Sequence, residues 1–208
     1  METRRITVLS AGLGVPSSSR LLADQLAASV ERRLAAAGFS VTVDVVELRD
    51  LAVDIANNFV TGYAAPRLAD VIAGVADSDG IIAVTPVFSA SYSGLFKSFF
   101  DVLDPKSLEG KAVLLGATGG TDRHQMVLDY AMRPLFSYLR TRTAATGVFA
   151  GPQDWGSADD GGSPLSVRID RAADEFAGLV KDAQPRRTPQ AAESLPFEQL
   201  LAGISGSR

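Results

Sequence analysis

The sequence predicts an α/β fold: a doubly wound, five-stranded parallel sheet in the order 2-1-3-4-5 with helices on both faces. Three observations carry this. Five short, apolar, β-branched runs alternate with helical patterns along the chain. Three of those runs are apolar on both faces, as strands covered by helices on each side must be. The links between runs and helices are short, which favours right-handed β-α-β crossovers.

Residues 6–10 (ITVLS) open the sheet, and 41–48 (VTVDVVEL) alternate over VTVDV as a strand nearer the sheet edge does. The runs 80–85 (GIIAVT) and 112–117 (AVLLGA) are unbroken apolar stretches, and 143–149 (TAATGVF) supplies the fifth strand. Helices are predicted at about 19–37, closed by Gly38, and at about 66–77, 93–103, 123–139 and 164–181. The first carries Leu21, Leu22, Leu26, Val30 and Leu34 on one stripe, which would pack on the sheet. Pro134 cannot donate to the carbonyl of Tyr130, so the fourth helix should kink or carry a π-bulge there, a plain kink being the commoner outcome. In a 2-1-3-4-5 sheet the ligand crevice opens at the carboxyl ends of strands 1 and 3. The loops at 10–20 and 85–94 are therefore the places to look for a site.

The 208 residues suffice for one full core, since at this size ~70% of the unfolded surface is buried. Residues 1–183 read as that domain, and 184–208 as a polar, proline-punctuated extension expected to be mobile. The chain has no cysteine and one histidine, His124, which excludes disulfides, iron–sulfur clusters, cysteine nucleophiles and metal sites built on thiolates or paired imidazoles. No metal is expected. A Ser-His-Asp triad would need His124, which stands in a polar turn away from any nucleophile-elbow sequence. A net charge of −4 argues against a nucleic-acid partner. No segment is apolar for long enough to span a membrane. The opening stretch is broken by Ser10, Gly12 and Gly14 and reads as a strand rather than a signal peptide, so a cytoplasmic location is expected. Any catalysis should borrow its reactive group.

Three segments can hold one. The loop SAGLGVPSSSRLLADQL follows a strand and opens a helix, where N-terminal amides and the positive dipole end attract phosphate. Ser10, Ser17, Ser18 and Ser19 offer hydroxyls there, and Arg20 offers charge-assisted bonds. The same serines also serve as helix caps with Arg20 on a solvated face, and the loop alone leaves both readings open. Gly12 and Gly14 fall short of a dinucleotide fingerprint, because Ser17 holds the third glycine position. In TPVFSASYSGLFKSFFDVLD, Pro86 fixes the backbone, and Phe88, small polar residues and Gly94 follow, a surface suited to a flat heterocycle. Phe96, Phe99, Phe100 and Leu103 have core spacing, and Lys97 is a solvated or paired lysine. In GATGGTDRHQMVLDYAMRPLF, Gly119 and Gly120 bring bare backbone to the same sheet edge.

These segments, in this order and spacing over residues 4–150, resemble the NADPH-dependent FMN reductase family of flavodoxin-like proteins, especially members that supply reduced flavin to two-component monooxygenases. The resemblance implies that Ser10, Ser17, Ser18, Ser19 and Arg20 hold the FMN phosphate. It further implies that Pro86, Val87, Phe88 and Ser89 line the isoalloxazine, with Thr118, Gly119 and Gly120 at its pyrimidine side. Phe88 stands where tyrosine is common in the family. Tyr130 matches a tyrosine that related reductases carry in a bulged helix at a subunit interface. Beyond residue 150 the match weakens, and Trp155 is either a shield for the site or part of an ordinary loop.

The activity so implied is an NAD(P)H:FMN oxidoreductase that passes a hydride from NADPH or NADH to FMN and releases reduced FMN to a flavin-dependent monooxygenase partner. No catalytic side chain is required, because the flavin carries the chemistry. The competing readings are an FMN-bound quinone, azo-dye or metal-ion reductase and a non-enzymatic flavodoxin-type electron carrier. Carriers of that sort dock on basic partners and tend to be far more acidic than −4. A homodimer or homotetramer is expected.

Overall fold

In the computed structural model, which describes residues 2–155 and 165–183, the first strand, β1 (Thr3–Ser10), sits inside the sheet. It pairs in parallel with β2 (Ser40–Glu47) on one side and β3 (Gly80–Phe88) on the other. β5 (Ala112–Thr118) pairs with β3, and two short strands, β6 (Arg142–Thr143) and β7 (Val148–Ala150), share the far edge of β5. Read with β6 and β7 as one interrupted strand, this is the predicted 2-1-3-4-5 order, a flavodoxin-like arrangement. The extension at 184–208 lies outside the described residues.

Strand alternation divides the core in two. Ile82 and Val84 of β3 face α1 (Ser18–Ala36) and α6 (Leu165–Lys181), where Leu22, Leu26, Val30, Phe176 and Val180 are buried. Ile81 and Ala83 face the opposite layer of α3 (Pro66–Asp77), α4 (Gly94–Asp101) and α5 (Arg133–Tyr138). There Phe100 packs against Phe96 and Phe136 with ring centroids 4.8 and 4.9 Å apart. Of the stripe predicted on α1, Leu21 is the one that stays exposed.

Four features depart from expectation. A helix, α2 (Ala52–Thr61), follows β2 and ends at Gly62 in the left-handed conformation. Only Ile55 of α2 is buried, and Val53, Phe59 and Val60 are exposed. β3 runs on through Pro86 to Phe88 and turns back as β4 (Ser91–Tyr92), an antiparallel hairpin in place of a plain loop. The fifth strand breaks over residues 144–147, where the Thr146 N–H and hydroxyl bond Glu175 of α6 instead of a neighbouring strand. The helix expected at 123–139 is segmented into a 3₁₀ turn (Asp122–His124), a π-helical turn (Leu128–Met132) and α5. The π-turn lies just ahead of Pro134 and includes Tyr130, so the missing proline N–H is accommodated by a wider turn.

Candidate functional site

The register of the sheet builds the site. Pro86 pairs with Thr118, and Thr118 with Ala150, so three strand ends form one row at the carboxyl edge. Beside that row the sheet order reverses between β1 and β3, the position at which open α/β sheets leave a crevice. A cavity of about 530 Å³ opens there, within the usual range for small-molecule sites. Its floor is Pro86, Val87, Thr118 and Ala150, and Phe88, Gly119 and Gly120 continue it. One wall is the β1–α1 loop and the first turn of α1: Gly12, Leu13, Gly14, Pro16, Ser17, Ser18 and Ser19. Pro152 and Trp155, from the segment after β7, complete the lining.

Each wall is pinned locally. Ser17 caps α1, its Oγ accepting the Arg20 N–H at 3.2 Å. The cap leaves the N–H groups of Ser18 and Ser19 at the open end of the helix, and the first turn carries no acidic residue. Gly12 is required by crowding: a Cβ there would lie 2.0 Å from Ser17 Oγ. Arg49 donates to the Gly14 carbonyl at 2.7 Å and ties the loop to the end of β2. Thr85 Oγ1 accepts the Ser93 N–H at 3.0 Å, and Ser93 in turn caps α4, which fixes the β3–β4 hairpin. The Gly119 N–H donates to the Ala150 carbonyl at 3.1 Å, and a Cβ on Gly119 would meet the Phe149 ring at 2.9 Å.

The predicted site residues divide accordingly. Ser17, Ser18, Ser19, Pro86, Val87, Phe88, Thr118, Gly119 and Gly120 line the cavity together. Ser10, Arg20 and Ser89 do not. Ser10 is buried at the end of β1, and its Oγ has no hydrogen-bond partner. The Arg20 guanidinium bonds Asp24 and Glu47, each at 2.8 Å. The hydrogen bond it donates to Asp24, together with the charges of both carboxylates, raises its pKa above the ordinary value despite some burial. Ser89 occupies the hairpin turn at φ 48°. Gly12, Leu13, Gly14, Pro16, Ala150, Pro152 and Trp155 join the site from outside the predicted set; Gly12 and Gly14 carried a sequence signal as loop glycines and Trp155 as an isolated aromatic in a polar loop. His124 does not line the cavity, and Lys97 pairs with Asp101 at 2.6 Å.

Among the described residues, no charged side chain lines the cavity. It offers hydroxyls, backbone amides, a helix N-terminus, two aromatic side chains and an apolar floor. That donor set fits a group with one phosphate and one flat heterocycle: amides and serines for the anion, bare backbone and Phe88 for the ring. The unsatisfied Ser10 hydroxyl adds a polar atom that a ligand at this edge would help to satisfy.

The family model described as NADPH-dependent FMN reductase matches residues 4–156. The chain belongs to that family. An FMN reductase (NADPH) from Pseudomonas aeruginosa is 34% identical over 177 residues, covering 84% of this chain and 91% of that protein. The NADH-dependent FMN reductase SfnF from Pseudomonas fluorescens is 32% identical over 175 residues, with the same coverage of 84% and 91%. An oxidoreductase structure from Corynebacterium diphtheriae superposes with a TM-score of 0.84 at 41% identity, over 88% of this chain and all of that one. The matched segment takes in every predicted site residue and ends just past Trp155. No helix among the described residues is long and apolar enough to cross a membrane.

Proposed function

We propose that the protein reduces FMN at the expense of NADPH or NADH, with FMN seated in the cavity at the sheet edge, and passes reduced FMN to a separate flavin-dependent monooxygenase. The observation that carries this reading is the row Pro86, Thr118 and Ala150 set beside the capped, acid-free start of α1. It offers a ring platform and an anion site in one uncharged crevice. Ser17, Ser18 and Ser19 hold the phosphate through hydroxyls and first-turn amides. Ser10 satisfies its hydroxyl from below, and Arg20 reaches the phosphate by turning from Glu47. Pro86, Val87 and Phe88 support the ring, Ser89 sets the turn that carries them, and Thr118, Gly119 and Gly120 bond its pyrimidine side.

The chemistry FMN supplies when bound is acceptance at N5 of a hydride from the nicotinamide C4, which with one proton from water leaves oxidised nicotinamide and reduced FMN. The protein's own residues bind, orient and exclude water. No ionisable side chain of the described residues lines the cavity, so none is assigned a proton. Anchoring through hydroxyls and amides, with Arg20 as the one cation, suits a flavin that is to be released. Relatives named for NADPH and for NADH support either donor.

The proposal includes a cytoplasmic location and a homodimer or homotetramer. Tyr130 and Tyr138 are 77% and 78% exposed beside a second cavity of about 660 Å³ between α4 and α5, a surface that a second copy would cover. Light scattering reads the oligomer. The function itself is read by nicotinamide oxidation with and without free FMN, and with a quinone. Turnover that rises with added FMN supports the reductase, and no oxidation of NADPH or NADH overturns it. Turnover that needs the quinone but no free FMN assigns the site to a tightly held flavin instead.

A further inference from the structure

We propose that Trp155 is a flavin-binding residue and that Arg168 and Asp154 are the pair that positions it. The proposal rests on the FMN reading above. The segment from Gly151 to Trp155 is short, yet it is tied down at every turn. Asp154 N–H donates to the Gly151 carbonyl at 3.1 Å, and the Gly151 N–H donates to Asp154 Oδ2 at 2.8 Å. Arg168, from α6, donates to the Phe149 carbonyl through Nη1 and to Asp154 Oδ1 through Nη2. A Cβ on Gly151 would lie 2.5 Å from Asp122 Oδ1, so a side chain there would have to displace the Asp122 carboxylate. One guanidinium thus fixes both the end of β7 and the turn beyond it.

What this clamp delivers to the cavity is the indole. Trp155 lines the cavity and at the same time packs against the apolar cluster between the sheet and the α1/α6 layer. It therefore stands on the α1 side of the crevice, with the phosphate-binding turn. Phe88, the other aromatic lining residue, comes from the β3–β4 hairpin. Among the described residues no charged side chain lines this cavity, so besides the Arg20 contact proposed above an anion there depends on neutral donors, whose strength grows as water is excluded. An indole supplies that exclusion with a large apolar face, and its Nε1–H adds a donor without adding charge. The Asp154 carboxylate is 11% exposed and its partner Arg168 32%, so the clamp is largely sheltered and holds its geometry.

Trp155 is the sole tryptophan of the chain, so the unmodified protein reports on this contact. The experiment titrates FMN while following flavin absorbance and tryptophan emission together. The expected result is quenching of Trp155 emission in step with flavin binding. Trp155→Ala should raise the FMN Kd about 10-fold and Trp155→Phe less than about 3-fold. Arg168→Met should raise it about 5-fold, with Arg168→Lys recovering part of the loss, and the KM for FMN should rise in both while the KM for nicotinamide stays within about 2-fold. Flavin binding with unchanged tryptophan emission, or unchanged Kd in both Trp155→Ala and Arg168→Met, overturns the proposal and leaves the FMN reading standing. Absence of flavin binding by either signal removes both.

Discussion

Ser19 Oγ and Thr118 Oγ1 lie 2.7 Å apart, both buried, and join the first turn of α1 to the last residue of β5. The bond locks the anion-binding end of the cavity to its ring-binding end, two segments 99 residues apart in the chain. Thr118→Val keeps the shape and removes the hydroxyl, which leaves Ser19 Oγ buried without this partner. The expected cost is about 1–3 kcal/mol of stability, measured by denaturant unfolding. The double variant Ser19→Ala, Thr118→Val should recover part of that loss, because no orphan remains, but it should not recover FMN affinity. Recovery of both would show that the pair is structural only.

Arg20 begins from a different position. Its guanidinium is held by Asp24 and Glu47, and both pairs are partly exposed, with side-chain exposures of 36% for Arg20, 47% for Asp24 and 17% for Glu47. Exposed pairs of this kind are worth about 0–1 kcal/mol. A charge-assisted bond to phosphate is worth about 1.5–3 kcal/mol, so exchange of partners on binding is favourable. Arg20→Ala is expected to weaken FMN by about 1–2 kcal/mol, roughly 5- to 30-fold. Asp24→Asn, which loosens one competitor, should leave affinity unchanged or improve it. An Arg20→Ala affinity equal to that of the unaltered protein would mean that the guanidinium stays with its carboxylates.

The β3–β4 hairpin predicts a stabilising change. Ser89 and Ala90 take φ values of 48° and 65° at the two central positions of a two-residue turn, as a type I′ turn requires. Neither is the asparagine or glycine that such a turn favours. Ala90→Gly removes the left-handed penalty of a Cβ and adds back some unfolded-chain entropy, for a net gain of about 0.5–1 kcal/mol. The unfolding midpoint should rise without a change in its denaturant slope.

The same turn shows where reading the sequence stops. Apolar runs, Gly38 and the serines before α1 make the sheet order, the helices and the anion end of the site visible, because each depends on neighbours close in the chain. Ser89–Ala90 carries no hairpin signal, so β4 is invisible until Thr85 and Ser93 are seen to hold it. α2 is a ten-residue helix that buries only Ile55 and has no side-chain cap at its start, so no start signal sets it apart from the loop after β2. The wall formed by Pro152 and Trp155 depends on Arg168 reaching back from α6, a contact no local pattern announces. The orientation of Arg20 is equally tertiary, set by Glu47 at the end of β2.

Glu175 fills the gap in the fifth strand and gives the fold an acid-sensitive joint. Its carboxylate accepts the Thr146 N–H at 2.6 Å and the Thr146 hydroxyl at 2.7 Å, with Arg171 3.5 Å away. Burial alone would raise its pKa. The Thr146 bonds, aided by the Arg171 charge, outweigh that and hold it below the ordinary carboxylate value. A depressed folded-state pKa contributes stability that is complete above the unfolded value and is lost as pH falls through the folded one. Glu175→Gln should therefore cost about 1 kcal/mol at neutral pH. The difference in Tm between the two proteins should stay constant from about pH 8 to pH 6 and close below about pH 4. A difference that persists at low pH would show that the Thr146 bonds hold without the charge, and the joint would then be insensitive to acid.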